Sequence, residues 1–216
     1  MYAALNFSLT PIDAYASGLF DRLKGDHKGL FGSREIKSTK LSSFKKWATV
    51  LERQQHDHLL NSYTQQDCKI SDRLACSVTD WQKLIKELKD QPLAIKLEKV
   101  NRHMNRHPYI TDIVNWGVKD YWASVKQFFR RDGDCEDYAI AKYFSLKELG
   151  INPDNMRIVV VQDTSLNTPH AVLAVYHQDQ ILILDNQINY VVKERAVLHY
   201  KPLYSINESA WWMHRM

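Results

Sequence analysis

The stretch that most constrains the fold is CEDYAIAKYFSLKEL, residues 135–149, in which nine of fifteen residues are apolar or aromatic. At helical spacing they leave little of the circumference polar, so the segment predicts a helix buried on most of its surface. Gly150 suits the position after its last turn, and Pro153 prevents continuation. Such a helix cannot face water. The rest of the chain has to wrap it.

Two kinds of segment are present to do so. Downstream, MRIVVVQ, AVLAVYH and QILILDNQ are short β-rich runs separated by turn-prone polar residues. Upstream, the chain reads helical. LSSFKKWATVLERQQ places Phe44, Trp47, Ala48 and Leu51 on one face. Thr79 and Gln82 fit a capping box that opens a helix over WQKLIKELKD. Pro92 ends that helix and can start the next, LAIKLEKVNRHMN. The expected architecture is α+β, helices first and then a small antiparallel sheet packed on the Cys135 helix. It reads as a single domain over 1–216, with a helical lobe at about 1–130 and the helix plus sheet at about 131–216.

A length of 216 residues, 44% hydrophobic and 25% charged, is ordinary for a soluble globular protein. A net charge of +4 with no Lys/Arg run gives no nucleic-acid signature. No run of 18 apolar residues exists to span a membrane. The opening MYAALNFSLTPIDAY has no basic stretch followed by an apolar one, so it is not a signal peptide as it stands. A cytoplasmic protein and an exported chain stripped of its signal both read this way. There are three cysteines. Cys68 and Cys76 can form a bridge in an oxidising compartment or stand as two buried thiols, and Cys135 is left over.

Cys135 stands between Asp134 and Glu136. Their charge should raise its pKa and weaken it as a nucleophile. A place in the first helical turn acts the other way, because the helix start carries partial positive charge and free N–H groups. Those amides, Cys135's own among them, can also donate to an oxyanion. His170 and Asp185 supply a base and its partner. If AVLAVYH and QILILD form a hairpin turning at Gln178-Asp179, His177 pairs with Gln180 and facing positions sum to 357. Asp185 then lies opposite Val172, on the same face as His170 and diagonal to it. The spacing permits a Cys–His–Asp arrangement. The plainer readings are a small buried cysteine, eight competing histidines, and a turn aspartate. For the acids the plain reading is helix capping by Asp134, with Glu136 and Asp137 complementing the dipole. His103 and His107 could ligate a metal, though H-x-x-x-H without the zincin Glu is a weak signal.

The blocks GDCEDYAIAKYFSLKELG, PHAVLAVYH and LILDNQ resemble the bacterial transglutaminase-like cysteine proteinases, in particular the periplasmic members that release biofilm adhesins. The likeness extends to VKDYWASVKQFFRRDGDCEDYAIAKYF, and more weakly to YASGLFDRLK and PLYSIN. It implies a papain/transglutaminase-like α+β fold. It puts the nucleophile at Cys135, the base at His170 and the orienting acid at Asp185, with LDNQ departing from the usual LDNL only after the Asp. It implies calcium held by the acids beside the nucleophile, here Asp134 and Glu136 with Asp137 as a further donor. Hard oxygen ligands suit that ion, and its charge would offset their field at the thiolate. The segment is not an EF-hand, for Asp137 and Tyr143 stand where the loop needs Gly and Glu. The resemblance further implies a periplasmic endopeptidase, its signal peptide removed. It would cleave a small-residue, Ala-Ala-like site in the N-terminal region of a large surface adhesin and promote biofilm dispersal. Its implied partner is the periplasmic domain of an inner-membrane cyclic di-GMP receptor. Acyl transfer to an amine, or a calcium-dependent binding module with an idle triad, are the alternatives.

Overall fold

The computed structural model describes residues 29–216 apart from 58, 60, 61 and 70–72. The YASGLFDRLK block lies outside the described residues. Within them the helices are α1 (Lys45–Asp57), α2 (Gln65–Lys69), α3 (Arg73–Leu88), α4 (Leu93–Met104), α5 (Asp112–Asn115), α6 (Val125–Arg131) and α7 (Cys135–Glu148). The strands are β1 (Arg34–Ser38), β2 (Met156–Asp163), β3 (Thr168–His177), β4 (Gln180–Leu184), β5 (Val192–Lys193), β6 (Tyr200–Ile206) and β7 (Trp211–Arg215). They form one sheet in the order β1-β7-β6-β2-β3-β4-β5, every neighbouring pair antiparallel. This is the α+β architecture expected.

The α7 helix is enclosed as its composition requires. All ten residues from Asp137 to Leu146 are buried, with β2 and β3 on one side and α4 and α6 on the other. The central strands read as unbroken apolar runs because both faces are covered. Ile158, Leu173 and Val175 point into the main core with α7, while Val159, Val172 and Ala174 point into a second cluster with Leu30, Phe31 and Tyr200. That is the period-2 alternation of a strand serving two cores.

The hairpin has the expected register. His177 pairs with Gln180, and the ladder runs to Leu173 opposite Leu184. Gln178 takes the positive φ of +52° that tight two-residue turns demand.

Three details differ from the sequence reading. The α3 helix does not start near Thr79 but runs unbroken from Arg73, since Leu74, Ala75, Val78 and Trp81 bury one continuous face. The Thr79 hydroxyl donates back to the Ala75 carbonyl (2.9 Å) instead of capping. In α1 the buried residues are Trp47 and Val50, and Ala48 is exposed. Within the segment read as helical, Arg34–Ser38 is a strand that pairs with β7, from a sequence too charged and short to announce it. The expected α4 is present, with Pro92 immediately before it.

Candidate active site

Position 135 is the first residue of α7, and the turn before it is built from buried charge. Asp132 sits at φ +61°, ψ −161°, a region that side chains other than glycine rarely occupy. It is held there by the Arg73 guanidinium and by His107 Nδ1 at 3.0 Å. At Gly133 a Cβ would run into the Asp137 carboxylate. That carboxylate accepts the Ala123 N–H (2.7 Å) and the Asp134 N–H (3.4 Å), tying the helix start to the segment that precedes α6. Cys135 is half-buried and unpaired, while Cys68 and Cys76 form the disulfide.

His170 on β3 is buried at 4% exposure, and Asp185, one residue past β4, is fully buried. Their Nε2 and Oδ1 atoms are 2.9 Å apart, as the diagonal relation across the hairpin allows. Asp185 Oδ1 also accepts the Gln187 N–H (2.9 Å), and Oδ2 accepts the Tyr200 hydroxyl (2.6 Å). Burial acts to raise the Asp185 pKa, but the bond and charge of His170, then Tyr200 and Gln187, outweigh it and hold the group below the usual carboxylate value. With Nε2 engaged by Asp185, Nδ1 is the ring nitrogen left for other work. The Cys135 helix packs on β3, and the backbone N–H of Ala171, next along that strand, acts to favour the thiolate. The nucleophile candidate therefore lies against the strand that carries the histidine.

The thiol itself is strongly disfavoured as an anion. Burial, the charge of Glu136, its hydrogen bond to Glu136 and the charge of Asp134 all raise its pKa well above the ordinary value. The S–H donates to Glu136 Oε2 at 3.2 Å. The acids suffer the same crowding. Burial and mutual repulsion raise Asp112 to about 6 and Glu136 to about 8, and raise Asp134 and Asp137 as well.

These carboxylates converge in two overlapping sets, Asp112–Asp120–Glu136 and Asp112–Asp134–Asp137, with one oxygen of each member within 4.8 Å of the others. Asp112 Oδ1 and Asp134 Oδ1 are buried with no hydrogen-bond partner. Orphaned buried anionic oxygens are costly, and a hard cation is what would complete them. The donor set fits one.

The family model for bacterial transglutaminase-like cysteine proteinases matches residues 62–214. The chain belongs to this family. Among solved structures, this proteinase is similar to Legionella pneumophila LapG, with 36% identity over 76% of this chain and 87% of that one, and a TM-score of 0.62. The calcium-bound form of that LapG gives the same values. Its EGTA-treated form gives 35% identity, 77% and 86% coverage, and a TM-score of 0.63. Curated proteins yield no match. The fold is accordingly transglutaminase-like and the chemistry is that of a cysteine protease.

Of the residues singled out from sequence, the proteinase brings His170 and Asp185 into contact and sets Cys135 beside the same strand. It gathers Asp134, Glu136 and Asp137 with two acids the sequence reading passed over, Asp112 and Asp120. Their signal was an aspartate at each end of DIVNWGVKD. Tyr200 was also missed, because its reach to Asp185 comes from a strand two positions away from β3 in the sheet. Trp122 is core, packed on Trp47. Trp116 and Tyr121 stack on each other. His103 and His107 join no metal-ligand set among the described residues. His107 serves Asp132, and burial, with His107 and Arg106 nearby, pulls His103 down to about 4.

Proposed function

We propose that this proteinase is a periplasmic, calcium-dependent endopeptidase in which Cys135 is the nucleophile, His170 the base and Asp185 the acid that orients it. One observation supports the reading most: a cysteine at the start of a helix buried from Asp137 to Leu146 lies on the side of β3 that carries a buried His–Asp pair at 2.9 Å. In that arrangement Asp185 fixes the Nε2–H tautomer, so Nδ1 takes the thiol proton. The thiolate attacks the scissile carbonyl, and the N–H of Cys135, unpaired within the helix as at any helix start, faces the developing oxyanion. His170 then protonates the leaving amine, and water hydrolyses the thioester.

The same site accounts for its acids. Asp112, Asp134 and Glu136, with Asp120 on the outer side and Asp137 on the buried side, would hold calcium. When bound, calcium supplies positive charge that offsets the field now keeping the Cys135 proton in place. The relative solved in calcium-bound and EGTA-treated forms supports this choice of ion. The substrate is the N-terminal region of a large surface adhesin, cut at a small-residue site, so that the adhesin is released and the biofilm disperses. The periplasmic domain of a cyclic di-GMP receptor controls access to the protease.

The test is cleavage of an adhesin fragment carrying paired alanines by wild type and Cys135→Ala, each with calcium and with EGTA. Cutting that needs both Cys135 and calcium is expected. Cutting by Cys135→Ala would remove the nucleophile assignment, and cutting that ignores EGTA would return the acids to helix capping.

A further inference from the structure

Asp112 and Asp120 stand at the two ends of one loop, and both belong to the set that converges with Glu136. Like charges gathered in this way push one another apart, so something other than the acids has to hold the loop in place. The loop has little regular structure of its own. After the short α5 it passes through Gly117 at φ +69° and runs without helix or strand as far as α6.

What holds it is a run of four side chains in contact. The Arg131 guanidinium, at the end of α6, lies over the Trp116 ring at 4.7 Å. Trp116 stacks on Tyr121 with centroids 4.3 Å apart and planes 26° from parallel. The Arg53 guanidinium, from α1, lies over the Tyr121 ring at 4.9 Å. A cation over an aromatic face is attracted by the ring quadrupole, and offset rings attract each other. The arginines also grip backbone. Arg131 Nη1 donates to the Asn115 carbonyl (2.8 Å) and Arg53 Nη2 to the Trp122 carbonyl (2.5 Å), so both flanks of the loop are tied to helices outside it. Trp116 Nε1 is buried with no hydrogen-bond partner. That cost would be absent from an aliphatic side chain, so the tryptophan is kept for its ring face.

The run reaches the acids through the adjoining backbone. The Tyr121 N–H donates to Asp112 Oδ2 at 2.5 Å, and the Ala123 N–H to Asp137 Oδ1 at 2.7 Å. Asp120 immediately precedes Tyr121 and pairs with Lys46. Ile113, Val114 and Val118 stay outside the run and exposed.

We propose that Arg53, Tyr121, Trp116 and Arg131 are positioning residues that pre-organise the 112–120 loop, so that calcium meets donors already gathered. The proposal rests on the reading of these carboxylates as a calcium site.

It is tested by titrating calcium chloride into the full chain by calorimetry, for wild type, Trp116→Leu and Trp116→Phe. Neither substitution alters the net charge, so the field at the site is kept. Trp116→Leu should raise the calcium Kd about tenfold, equivalent to ~1.4 kcal/mol, because ordering of the loop is moved onto the binding step. Trp116→Phe, which keeps an aromatic face, should restore most of the affinity. The rise in melting temperature on adding calcium should shrink in the Leu variant by mass action. A folded Trp116→Leu with wild-type Kd overturns the proposal whatever its melting temperature in EGTA, since a merely structural role moves stability and leaves the affinity of the folded protein alone. A Phe variant as weak as the Leu variant overturns it too. If Trp116→Leu fails to fold, the exposed Arg131 supplies the test. Arg131→Gln removes a positive charge, which by itself favours a cation, so weaker binding supports the proposal and equal or tighter binding overturns it. A wild type that takes up no calcium brings down the calcium reading and this one with it, whereas equal affinities in wild type and Trp116→Leu refute the role of the stack alone.

Discussion

Tyr200→Phe removes one atom from the site and isolates one contribution. The hydroxyl donates to Asp185 Oδ2 at 2.6 Å and is the donor that serves that oxygen, while His170 and Gln187 both serve Oδ1. The ring keeps its edge-on contact with Phe31 (centroids 6.0 Å) and its place 5.5 Å from the His170 ring, so packing is unchanged. A hydrogen bond to a charged group contributes about 1.5–3 kcal/mol, which at about 1.4 kcal/mol per pH unit lets the Asp185 pKa climb by roughly one to two. Asp185 lies below its usual value in the folded chain, so its contribution to stability is present above the unfolded pKa and is lost as pH falls through the folded one. The variant should therefore be less stable than wild type by about 1.5–3 kcal/mol at neutral pH. The gap should close as pH drops below both values. Urea unfolding at pH 7 and at successively lower pH, continued until the stability of both proteins no longer changes with Asp185 protonation, measures it. The kcat/KM for cleavage should fall about tenfold as the imidazole loses a fixed partner. Equal stability at pH 7, or a gap that persists in acid, would refute the assignment of Tyr200 to the carboxylate.

Removing calcium from the proposed site should expose the repulsion among the acids. Asp112 and Glu136 are raised to about 6 and about 8, so in EGTA the penalty is full above pH 8 and is relieved as pH falls through both values. The melting temperature in EGTA should be higher at pH 5.5 than at pH 8.5, with added calcium reversing the order. Asp112→Asn should weaken calcium binding at least about tenfold by titration calorimetry, since Asp112 belongs to both carboxylate sets. Arg73→Ala leaves the buried Asp132 carboxylate with His107 as its remaining partner and should cost about 1–3 kcal/mol in chemical denaturation. Reducing the Cys68–Cys76 disulfide, eight residues apart, should lower stability by about 2–3 kcal/mol, read as a drop in melting temperature with reductant.

What was legible in the sequence was whatever local rules decide. The β3–β4 register followed from a two-residue turn and the period of a strand, and with it the meeting of His170 and Asp185. The enclosure of α7 followed from composition. What escaped was decided by distant partners. β1 forms because β7, some 180 residues later, offers it an edge. Asp112 becomes part of the site because Asp134, 22 residues on, accepts its N–H at 3.3 Å. Thr79 looked like a cap because Gln82, three residues on, completes the motif, yet the apolar face continues upstream to Leu74. Periodicity carries no information about which charged residue will be folded against which.

The enclosure of α7 also decides which part of the cleft can move. A helix gripped by two strands and two helices has no freedom to tilt without disturbing the whole interior. Cys135, two residues before the buried stretch begins, is carried on that fixed body. The wall facing it is a different material. Residues 109–121 form a short helix and loops with Ile113, Val114 and Val118 exposed, tied to the start of α7 by the Asp112 N–H on Asp134, the Ile110 N–H on the Gly133 carbonyl and Tyr109 stacked on Tyr138. With Cys135 as the proposed nucleophile, entry of a polypeptide and its release after cutting fall to the more exposed 109–121 segment, while the thiol stays where the core has put it.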